Sequence, residues 1–182
     1  MGLIVGVTSL ARAGKDTLAL RLCSVYSFIQ LNMSDVLRVE LIKQGRDPTK
    51  DNMSIIGDEL RSKYGKDIVI RLLLEKAAVY EKVVITGLRS PEEVVYLKSN
   101  SNKFVLVSLY SPLESRFNRR NSLDPQTIEG FGARDERDIK NKGVEKVMGM
   151  ADYEIRNLGT IDTFYSEIDT FVKYTKDKNL LP

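Results

Sequence analysis

The sequence lacks histidine altogether and contains a single cysteine, Cys23. Without histidine the chain cannot use a histidine base, which excludes catalytic triads and most metallohydrolase mechanisms. A zinc site built from cysteine and histidine is excluded as well, as is a disulfide within the chain. We expect Cys23 to be a buried, unreactive side chain. Acid–base chemistry must therefore come from Asp, Glu, Lys or Tyr.

Long apolar runs and long basic runs are also missing. No segment approaches the roughly 18–20 consecutive apolar residues of a membrane span. The N-terminal MGLIVGVTSL has no positively charged region of the kind that begins a signal peptide. We therefore expect a cytoplasmic protein with no membrane partner. The net charge of +3, without interleaved aromatic and basic residues, argues against a nucleic-acid partner.

What the chain does contain is typical of one globular domain built from alternating strands and helices. Of its 182 residues, 42% are hydrophobic and 29% are charged, which allows a substantial core. The predicted strands are residues 3–8, 28–33, 82–86, 104–109 and 153–156. The predicted helices are residues 15–26, 35–43 (capped by Ser34), 52–63, 67–80, one from Pro91, one from Pro112 through Arg120, 133–142 and 161–176. This alternation predicts a three-layer α/β fold around a five-stranded parallel sheet.

The stretch GVTSLARAGKDT, residues 6–17, has the layout of a phosphate-binding P-loop. Backbone N–H groups in the turn and the positive end of the following helix form an anion site, and Lys15 reaches the outer phosphates. The alternative is a tight turn with a surface lysine. The predicted nucleotide-binding residues of this stretch are Ala11, Arg12, Ala13, Gly14, Lys15, Asp16 and Thr17.

Two positions depart from the usual P-loop pattern. Ser9 stands where the pattern has its first glycine, and Asp16 stands where a Ser or Thr usually binds magnesium. Because a carboxylate beside phosphates is unfavourable without a cation, we expect strict dependence on Mg²⁺. Asp16 and Thr17 are the candidate metal ligands. Either Asp16 binds the metal directly, or Thr17 takes over a phosphate contact.

Several polar residues follow strand ends, where ligands of parallel sheets bind. Asp35, Arg89 and Asn157 are therefore expected to converge on the P-loop. Asp35 is a candidate base for an attacking hydroxyl, and its alternative role is favourable electrostatics in the first turn of its helix. Arg38, Arg61 and Arg89 are candidates for holding an acceptor's own phosphate, although each taken singly is typical of a protein surface.

Five arginines are closely spaced in the second half of the chain. Arg116, Arg119 and Arg120 fall within about one helical turn, and Arg134 and Arg137 lie three residues apart on the next predicted helix. Interleaved acidic residues permit a salt-bridged, solvated surface. Next to a P-loop, the cluster also fits a lid that closes over phosphates.

The chain resembles the P-loop kinases of the nucleotide kinase group. It is most similar to the dephospho-CoA kinase-like proteins, especially their archaeal branch, and it also resembles phage-type deoxynucleoside monophosphate kinases. The matching segments are GVTSLARAGKDT, SDVLR, VVITGLRSPEEV, RFNRR, ARDERD and GMADYEIRNLGT. They cover the chain from end to end.

This resemblance implies ATP and Mg²⁺ as cofactors and a single kinase domain over residues 1–182. It also implies an acceptor-binding insertion at about 34–80 and a lid at about 113–143. The turn that contains Asn157 and Gly159 is expected near the adenine, and Asp35 is expected to be the base. The implied catalytic residues are Lys15, Asp35, Arg116, Arg120 and Arg134.

Two functional hypotheses of different kinds remain open. In the first, the protein is an ATP-dependent kinase. Its acceptor is dephospho-CoA, whose ribose hydroxyl gains from a base, or a (deoxy)nucleoside monophosphate, whose anionic phosphate needs arginine clamps. In the second, the protein is a nucleotide-binding regulatory or interaction protein with a degenerate kinase site. Ser9, Asp16 and Thr86 permit the second hypothesis, since similar kinases often carry an Asp at the position of Thr86.

Overall fold

The computed structural model describes residues 2–181, and within them all side chains except those at positions 50, 141 and 142. The strands are β1 (Leu3–Ser9), β2 (Ile29–Asn32), β3 (Lys82–Thr86), β4 (Lys103–Tyr110) and β5 (Tyr153–Arg156). The helices are α1 (Lys15–Tyr26), α2 (Met33–Lys43), α3 (Lys50–Tyr64), α4 (Ile68–Ala77), α5 (Pro91–Asn100), α6 (Leu113–Asn118), α7 (Ile128–Lys142), α8 (Val144–Gly149) and α9 (Ile161–Asp177).

Within residues 2–181 the strands form one five-stranded sheet in the order β2-β3-β1-β4-β5, and all neighbouring pairs are parallel. β1 is central, and Val5 pairs in register with Val84 of β3 and with Val105 of β4. Helices cover both faces of the sheet, so β1 is a nearly continuous apolar run. The predicted α/β fold with a five-stranded parallel sheet is confirmed.

Successive residues of β1 point to opposite faces of the sheet and supply two separate cores. On one face Val5 packs in a cluster with Leu18 of α1 and Phe171 of α9. On the other face Ile4 belongs to a cluster with Leu73 of α4 and with residues of α5 and α8. A third, smaller cluster joins α2 to α3. The sheet is therefore the middle layer of three.

Three helices begin earlier than the sequence predicts, α2, α3 (at Lys50 rather than at residue 52) and α7. α2 begins at Met33 rather than after a Ser34 cap, because β2 leads directly into the helix at Asn32. α7 begins at Ile128 rather than at Ala133. Thr127 caps it by accepting a hydrogen bond from the Gly130 N–H, and Phe131 in its first turn is fully buried. Burial of Phe131 therefore extends the helix into a stretch whose polar composition is typical of a turn.

The helix predicted to run through Arg120 ends earlier, at Asn118. The N–H groups of Arg119 and Arg120 donate to carbonyls only three residues back, at Arg116 and Phe117. This tightened last turn carries Arg119 and Arg120 out of the regular helix and toward the loop that precedes α7.

None of the helices formed by residues 2–181 is long and apolar enough to cross a membrane.

Gly6 lies in the middle of β1 at a point where a side chain would collide with its neighbours. A Cβ placed there would lie 2.6 Å from Leu88 Cδ1 and 2.9 Å from Phe104 Cε2. We expect Gly6→Ala to lower the free energy of unfolding by about 1–3 kcal/mol, because overpacking strains a dense core. Urea unfolding measures this change.

Gly149→Ala is the matched control, because nothing lies within 4 Å of a Cβ at that position. Its effect is expected to stay within about 0.5 kcal/mol. A loss at Gly149 as large as the loss at Gly6 would contradict the packing explanation.

Candidate active site

The loop of residues 10–14 joins β1 to α1 and is the predicted P-loop. Two of its residues have left-handed backbone conformations, Arg12 with φ 62° and Gly14 with φ 115°. Backbone of this kind can point successive N–H groups into one concavity, and the 12-residue α1 adds the positive end of its dipole. The loop therefore has the backbone geometry of an anion-binding site.

The buried side-chain amide of Asn157 hydrogen-bonds to this loop and fixes its position. Its Nδ2 donates to the Ala13 carbonyl over 2.9 Å, and its backbone N–H donates to the Tyr110 carbonyl over 2.8 Å. A Cβ on Gly14 would lie 2.8 Å from the same Nδ2 and 3.0 Å from the Phe164 ring. Gly14 is thus required by its φ and by this close approach. Asn157, predicted to bind nucleotide, uses its side-chain NH₂ group to position the P-loop.

Lys15 begins α1 and is paired with its neighbour. Its ammonium group lies 2.7 Å from Asp16 Oδ1 and 2.8 Å from Oδ2. Asp16 exposes 78% of its side chain, whereas Thr17 is half-buried and lines the adjacent cavity. The two candidate metal ligands therefore face different surroundings. The Asp16 carboxylate also offsets part of the positive charge that Lys15 offers to phosphates.

The oxygen donors at this loop fit a magnesium ion that arrives with a nucleotide. Residues 2–181 contain no group of three or more Cys, His, Asp or Glu side chains that could hold a metal ion by itself. Mg²⁺ bound with ATP needs no such group, since most of its ligands are phosphate oxygens and water. Asp16, Thr17 and Ser9 offer hard oxygen donors. The Ser9 Oγ is buried and lacks a hydrogen-bond partner among the described residues.

A cavity of about 310 Å³ lies beside the P-loop. Its lining includes Gly14, Thr17, Arg119 and two residues of the turn after β5, Leu158 and Gly159. Predicted nucleotide-binding residues from the two ends of the chain therefore border one space. The cavity combines a polar end at the P-loop with apolar surface at Leu158, as expected for a ligand with a phosphate part and a flat ring.

Arg119 is a site residue that the sequence does not single out from the arginine cluster. It hydrogen-bonds the Ser111 Oγ, which donates to the Asn157 carbonyl over 2.8 Å. Burial, and then the nearby charge of Arg116, lower the pKa of the Arg119 guanidinium. Arg119 is therefore a partly desolvated cation at the cavity wall, linked through Ser111 to the turn that holds the P-loop.

Asp124 joins the P-loop to the predicted lid. Its carboxylate accepts hydrogen bonds from Arg12 Nε and Arg134 Nη1, each over 2.6 Å, and from the Asn121 N–H over 2.9 Å. Burial alone would raise the pKa of Asp124, but these three donors together lower it to about 2. Arg134 also lies over the Phe131 ring, at 4.3 Å from its centroid. Sequence reasoning missed Asp124 because the partner that connects it to the P-loop, Arg12, lies 112 residues away along the chain.

Arg116 makes a second connection between the P-loop and α7. It is 4% exposed, and its Nη1 lies 2.6 Å from Asp135 Oδ2 and 3.2 Å from the Ala11 carbonyl. Arg120 instead lies over the Phe117 ring at 3.9 Å. Arg116 thus braces the P-loop from inside the protein. The catalytic roles of Arg116, Arg120 and Arg134 stay predictions.

Buried donors without a hydrogen-bond partner concentrate in the region between the P-loop and α7. Among the described residues they include Arg120 Nε and both Nε and Nη2 of Arg134. Unpartnered buried donors are unfavourable. They have almost no solvent-accessible surface, so an anion would satisfy them only after neighbouring side chains move. Arg137, by contrast, is exposed, and its Nε donates to the Ala133 carbonyl within its own helix.

Asp35, the predicted base, lies in the first turn of α2 and has both oxygens engaged. Arg38 Nη1 donates to its Oδ1 over 2.9 Å, and Asn32 Nδ2 donates to its Oδ2 over 3.1 Å. Arg38 is therefore paired with the candidate base, while the other two predicted acceptor-binding arginines have different carboxylate partners. Half of the Asp35 side chain remains accessible.

Arg61 and Arg89 are connected by the buried carboxylate of Glu93. Glu93 accepts hydrogen bonds from the Arg89 and Ser90 N–H groups over 3.1 and 3.3 Å and lies 3.6 Å from Arg61 Nη2. Burial raises its pKa despite these partners. The Arg89 guanidinium points elsewhere, at 3.9 Å from Asp138 of α7. The signal for Glu93 in the sequence is the capping pattern S-P-E-E at the start of α5.

Comparison with known proteins identifies the family. No protein-family model matches the chain. A UPF0200 protein of Methanosarcina acetivorans is 30% identical, and the match covers 97% of each chain. The chain belongs to the UPF0200 family. UPF0200 proteins of Thermococcus kodakarensis (30% identical, covering 93% of this chain and 96% of that one) and Methanothermobacter thermautotrophicus (32%, covering 87% and 83%) are similar relatives. These relatives are archaeal proteins, so the expected resemblance to an archaeal branch is confirmed.

Solved structures of similar shape show the fold of this UPF0200 protein. Shikimate kinase of Bacteroides thetaiotaomicron has a TM-score of 0.64 at 14% identity, covering 96% of this chain and 98% of that one. A gluconokinase of Sinorhizobium meliloti has a TM-score of 0.53 at 11% identity, covering 98% and 95%. The chain therefore has the P-loop kinase fold. The dephospho-CoA specificity implied by the sequence resemblance stays a prediction.

The paired carboxylate of Asp124 predicts a pH-dependent contribution to stability. Its pKa is lowered in the folded protein, so the carboxylate stabilises the fold above the unfolded pKa of about 4 and loses this contribution toward pH 2. We expect Asp124→Asn to lower the free energy of unfolding by about 2 kcal/mol at neutral pH. Urea unfolding at a series of pH values should show this difference shrinking as the pH falls from 4 to 2.

Glu136→Gln is the control, because Glu136 is exposed on the same helix as Arg134. It should leave the free energy of unfolding nearly unchanged over the whole range. A deficit of Asp124→Asn that persisted in full at pH 2 would mean that Asp124 stabilises by packing rather than by charge.

Proposed function

We propose that this UPF0200 protein is an ATP-dependent phosphotransferase that phosphorylates a nucleotide-like small molecule. The observation that carries the proposal is the meeting of three features at the carboxyl edge of one parallel sheet. The first is the P-loop, and the second is the cavity that Arg119 borders. The third is the carboxylate of Asp35, which a side-chain amide holds in place. A shared sheet edge is where such folds bind ligands, and the three features match the parts that phosphoryl transfer needs.

ATP is assigned to the P-loop and the adjoining cavity. Backbone N–H groups of residues 11–15 and the Lys15 ammonium would hold the outer phosphates, once Lys15 exchanges Asp16 for them. The cavity would take the adenosine part between Arg119, Leu158 and Gly159. In this arrangement Asn157 acts by fixing both the P-loop and the turn that borders the adenine.

Mg²⁺, when bound with ATP, neutralises phosphate charge and orients the outer phosphates. Asp16 or Thr17 would hold it, together with phosphate oxygens and water. Arg12 is part of the P-loop and Arg134 is joined to it through Asp124, so both would stabilise the transferring group, and Arg120 is the third candidate. The Arg134 donors that lack partners support this assignment.

The transfer itself needs one proton acceptor. The acceptor's hydroxyl oxygen forms a bond to the γ-phosphorus, and the bond from the γ-phosphorus to the bridging oxygen breaks, leaving its electron pair on ADP. The hydroxyl proton passes to Asp35. Each oxygen of Asp35 has a second lone pair, so a hydroxyl can bond there while Asn32 or Arg38 is still in place.

Dephospho-CoA is the first acceptor to test, and a (deoxy)nucleoside monophosphate is the second. A ribose hydroxyl gains from a fixed carboxylate, whereas an already anionic phosphate acceptor would be repelled by it. The engaged orientation of Asp35 therefore favours a hydroxyl acceptor. Arg61 and Arg89, connected by Glu93, remain candidates for an anionic group elsewhere on the acceptor.

Asp35→Asn tests the role of the base. We expect kcat with dephospho-CoA to fall about 10²–10⁴-fold, with little change in ATP affinity. Transfer to a nucleoside monophosphate, if present, should fall much less, because that acceptor has no proton to lose. Transfer of labelled phosphate from ATP to a panel of both acceptor types measures these effects.

Asp177→Asn is the matched control, since Asp177 is an exposed carboxylate at the end of α9, outside the predicted acceptor-binding segment and lid. Its activity should equal that of the unchanged protein. Tight ATP binding without transfer to any acceptor would overturn the kinase proposal and favour the alternative, a nucleotide-binding regulator with a degenerate site.

Asp16→Ser tests how the carboxylate in the P-loop couples ATP to magnesium. Without Mg²⁺, we expect the variant to bind ATP about fivefold more tightly, because a repulsive charge is gone. With saturating Mg²⁺ it should bind ATP less tightly than the unchanged protein does. Calorimetric titration in EDTA and in MgCl₂ measures both affinities.

Asp177→Ser removes the same charge at the exposed end of α9 and should change neither affinity. Equal affinities for Asp16→Ser and the unchanged protein under both conditions would assign the metal to other ligands, with Thr17 the first to examine.

A further inference from the structure

Two neighbouring strands end in polar side chains that touch each other. Asn32, the last residue of β2, is the register partner of Thr86, the last residue of β3. Thr86 is 4% exposed, and its Oγ1 donates to Asn32 Oδ1 over 2.7 Å. Gln30 Nε2 donates to the same oxygen over 3.0 Å. Two donors therefore hold the carbonyl end of the Asn32 amide.

A fixed carbonyl end also fixes the NH₂ end. Asn32 Nδ2 donates to Asp35 Oδ2 over 3.1 Å. If the amide were turned by 180°, its carbonyl oxygen would face the Asp35 carboxylate and its NH₂ group would face that of Gln30. Both contacts would be repulsive. The Thr86 hydroxyl therefore helps to select the amide orientation that gives Asp35 a hydrogen-bond donor.

The sheet places this chain of hydrogen bonds next to the P-loop. β3 lies between β2 and β1, and Thr86 is also the register partner of Val7. Two strand spacings, about 10 Å, thus separate Asn32 from Val7, which lies two residues before the end of β1. A span of this size can hold an acceptor hydroxyl and a phosphoryl group between Asp35 and the P-loop.

The residue types at positions 32 and 86 act as a matched pair. Kinases that the chain resembles often carry an Asp at the position of Thr86, and an ionised Asp has no proton to donate to Asn32 Oδ1. Such a residue would favour the turned amide, which withdraws the donor from Asp35. Threonine at this position is therefore suited to orient Asn32 rather than to bind a metal.

We propose that Thr86 and Asn32 are positioning residues for phosphoryl transfer. Thr86 orients the Asn32 amide, and Asn32 holds the Asp35 carboxylate in the orientation in which it takes the acceptor's proton. This inference rests on the proposed role of Asp35 as the base. Neither residue needs to contact ATP or the acceptor, because both act through Asp35.

Thr86→Val and Thr86→Ser form the test pair. Valine keeps the shape of threonine without the hydroxyl, whereas serine keeps the hydroxyl without the methyl group. With dephospho-CoA as the acceptor, we expect Thr86→Val to lower kcat about tenfold, a fraction of the effect of a general base. The KM values for ATP and dephospho-CoA should stay within about twofold. Thr86→Ser should retain most of kcat, and urea unfolding should show serine to be the less stable variant.

A double-mutant cycle shows whether Thr86 acts through Asp35. In an Asp35→Asn background, Thr86→Val should cause no further loss of kcat. A purely structural role would lower kcat by the same factor in both backgrounds and would follow stability, with serine the worse variant. Either of those results would overturn the proposal.

A crystal structure of Thr86→Val gives a reading that needs no activity. The Asn32 amide should turn or lose its contact with Asp35 Oδ2. If the contact survives unchanged, the positioning role is overturned even in an active kinase. If the unchanged protein transfers phosphate to neither dephospho-CoA nor a nucleoside monophosphate, the kinase proposal fails, and the structural result alone decides whether Thr86 orients Asn32 and Asp35.

Discussion

The hydrogen bond from Asn157 to the Ala13 carbonyl is the contact on which the geometry of the site depends. It ties a loop near the start of the chain to a turn near its end. Asn157 is itself fixed, because its backbone groups bond to Tyr110 at the end of β4 and to Ser111. Its amide leaves room at residue 14 for glycine alone. One buried amide therefore ties the P-loop to the turn after β5, which borders the cavity.

Charge compensation governs the remainder of the site. Arg12 and Arg134 share Asp124, Arg116 pairs with Asp135, and Lys15 pairs with Asp16. A phosphate that takes one of these cations must replace a carboxylate, so binding is an exchange of anions rather than a simple addition of charge. A triphosphate with its metal is better suited to such an exchange than a single phosphate, because it meets several cations at once.

The sequence predicts those parts of the structure that local patterns determine. β1, β3 and β4 are short runs rich in apolar and β-branched residues, and the P-loop is a contiguous motif, so the fold and the position of Gly14 and Lys15 follow from the residues themselves. The start of α7 does not follow, because burial of Phe131 by tertiary packing extends the helix into a stretch of polar, turn-like composition.

Ion pairs between distant parts of the chain are beyond the reach of local patterns. Arg12 and Asp124 are 112 residues apart, and nothing in either sequence neighbourhood indicates the other. Glu93 is an intermediate case, because its capping pattern is visible while its contact with Arg61 is not. The sequence thus identifies which residue types gather at the sheet edge, and the structure determines which of them meet.

The departures from the usual kinase pattern have different physical meanings. An unpaired buried polar group costs about 1–3 kcal/mol of stability. Thr86 carries no such cost, because its buried hydroxyl is paired with Asn32 in a chain of hydrogen bonds that ends at Asp35. Ser9 keeps an unpartnered hydroxyl at the P-loop, where a phosphate or a metal-bound water would satisfy it. Of the three departures, only Asp16 opposes phosphate binding, and a divalent cation reverses that opposition.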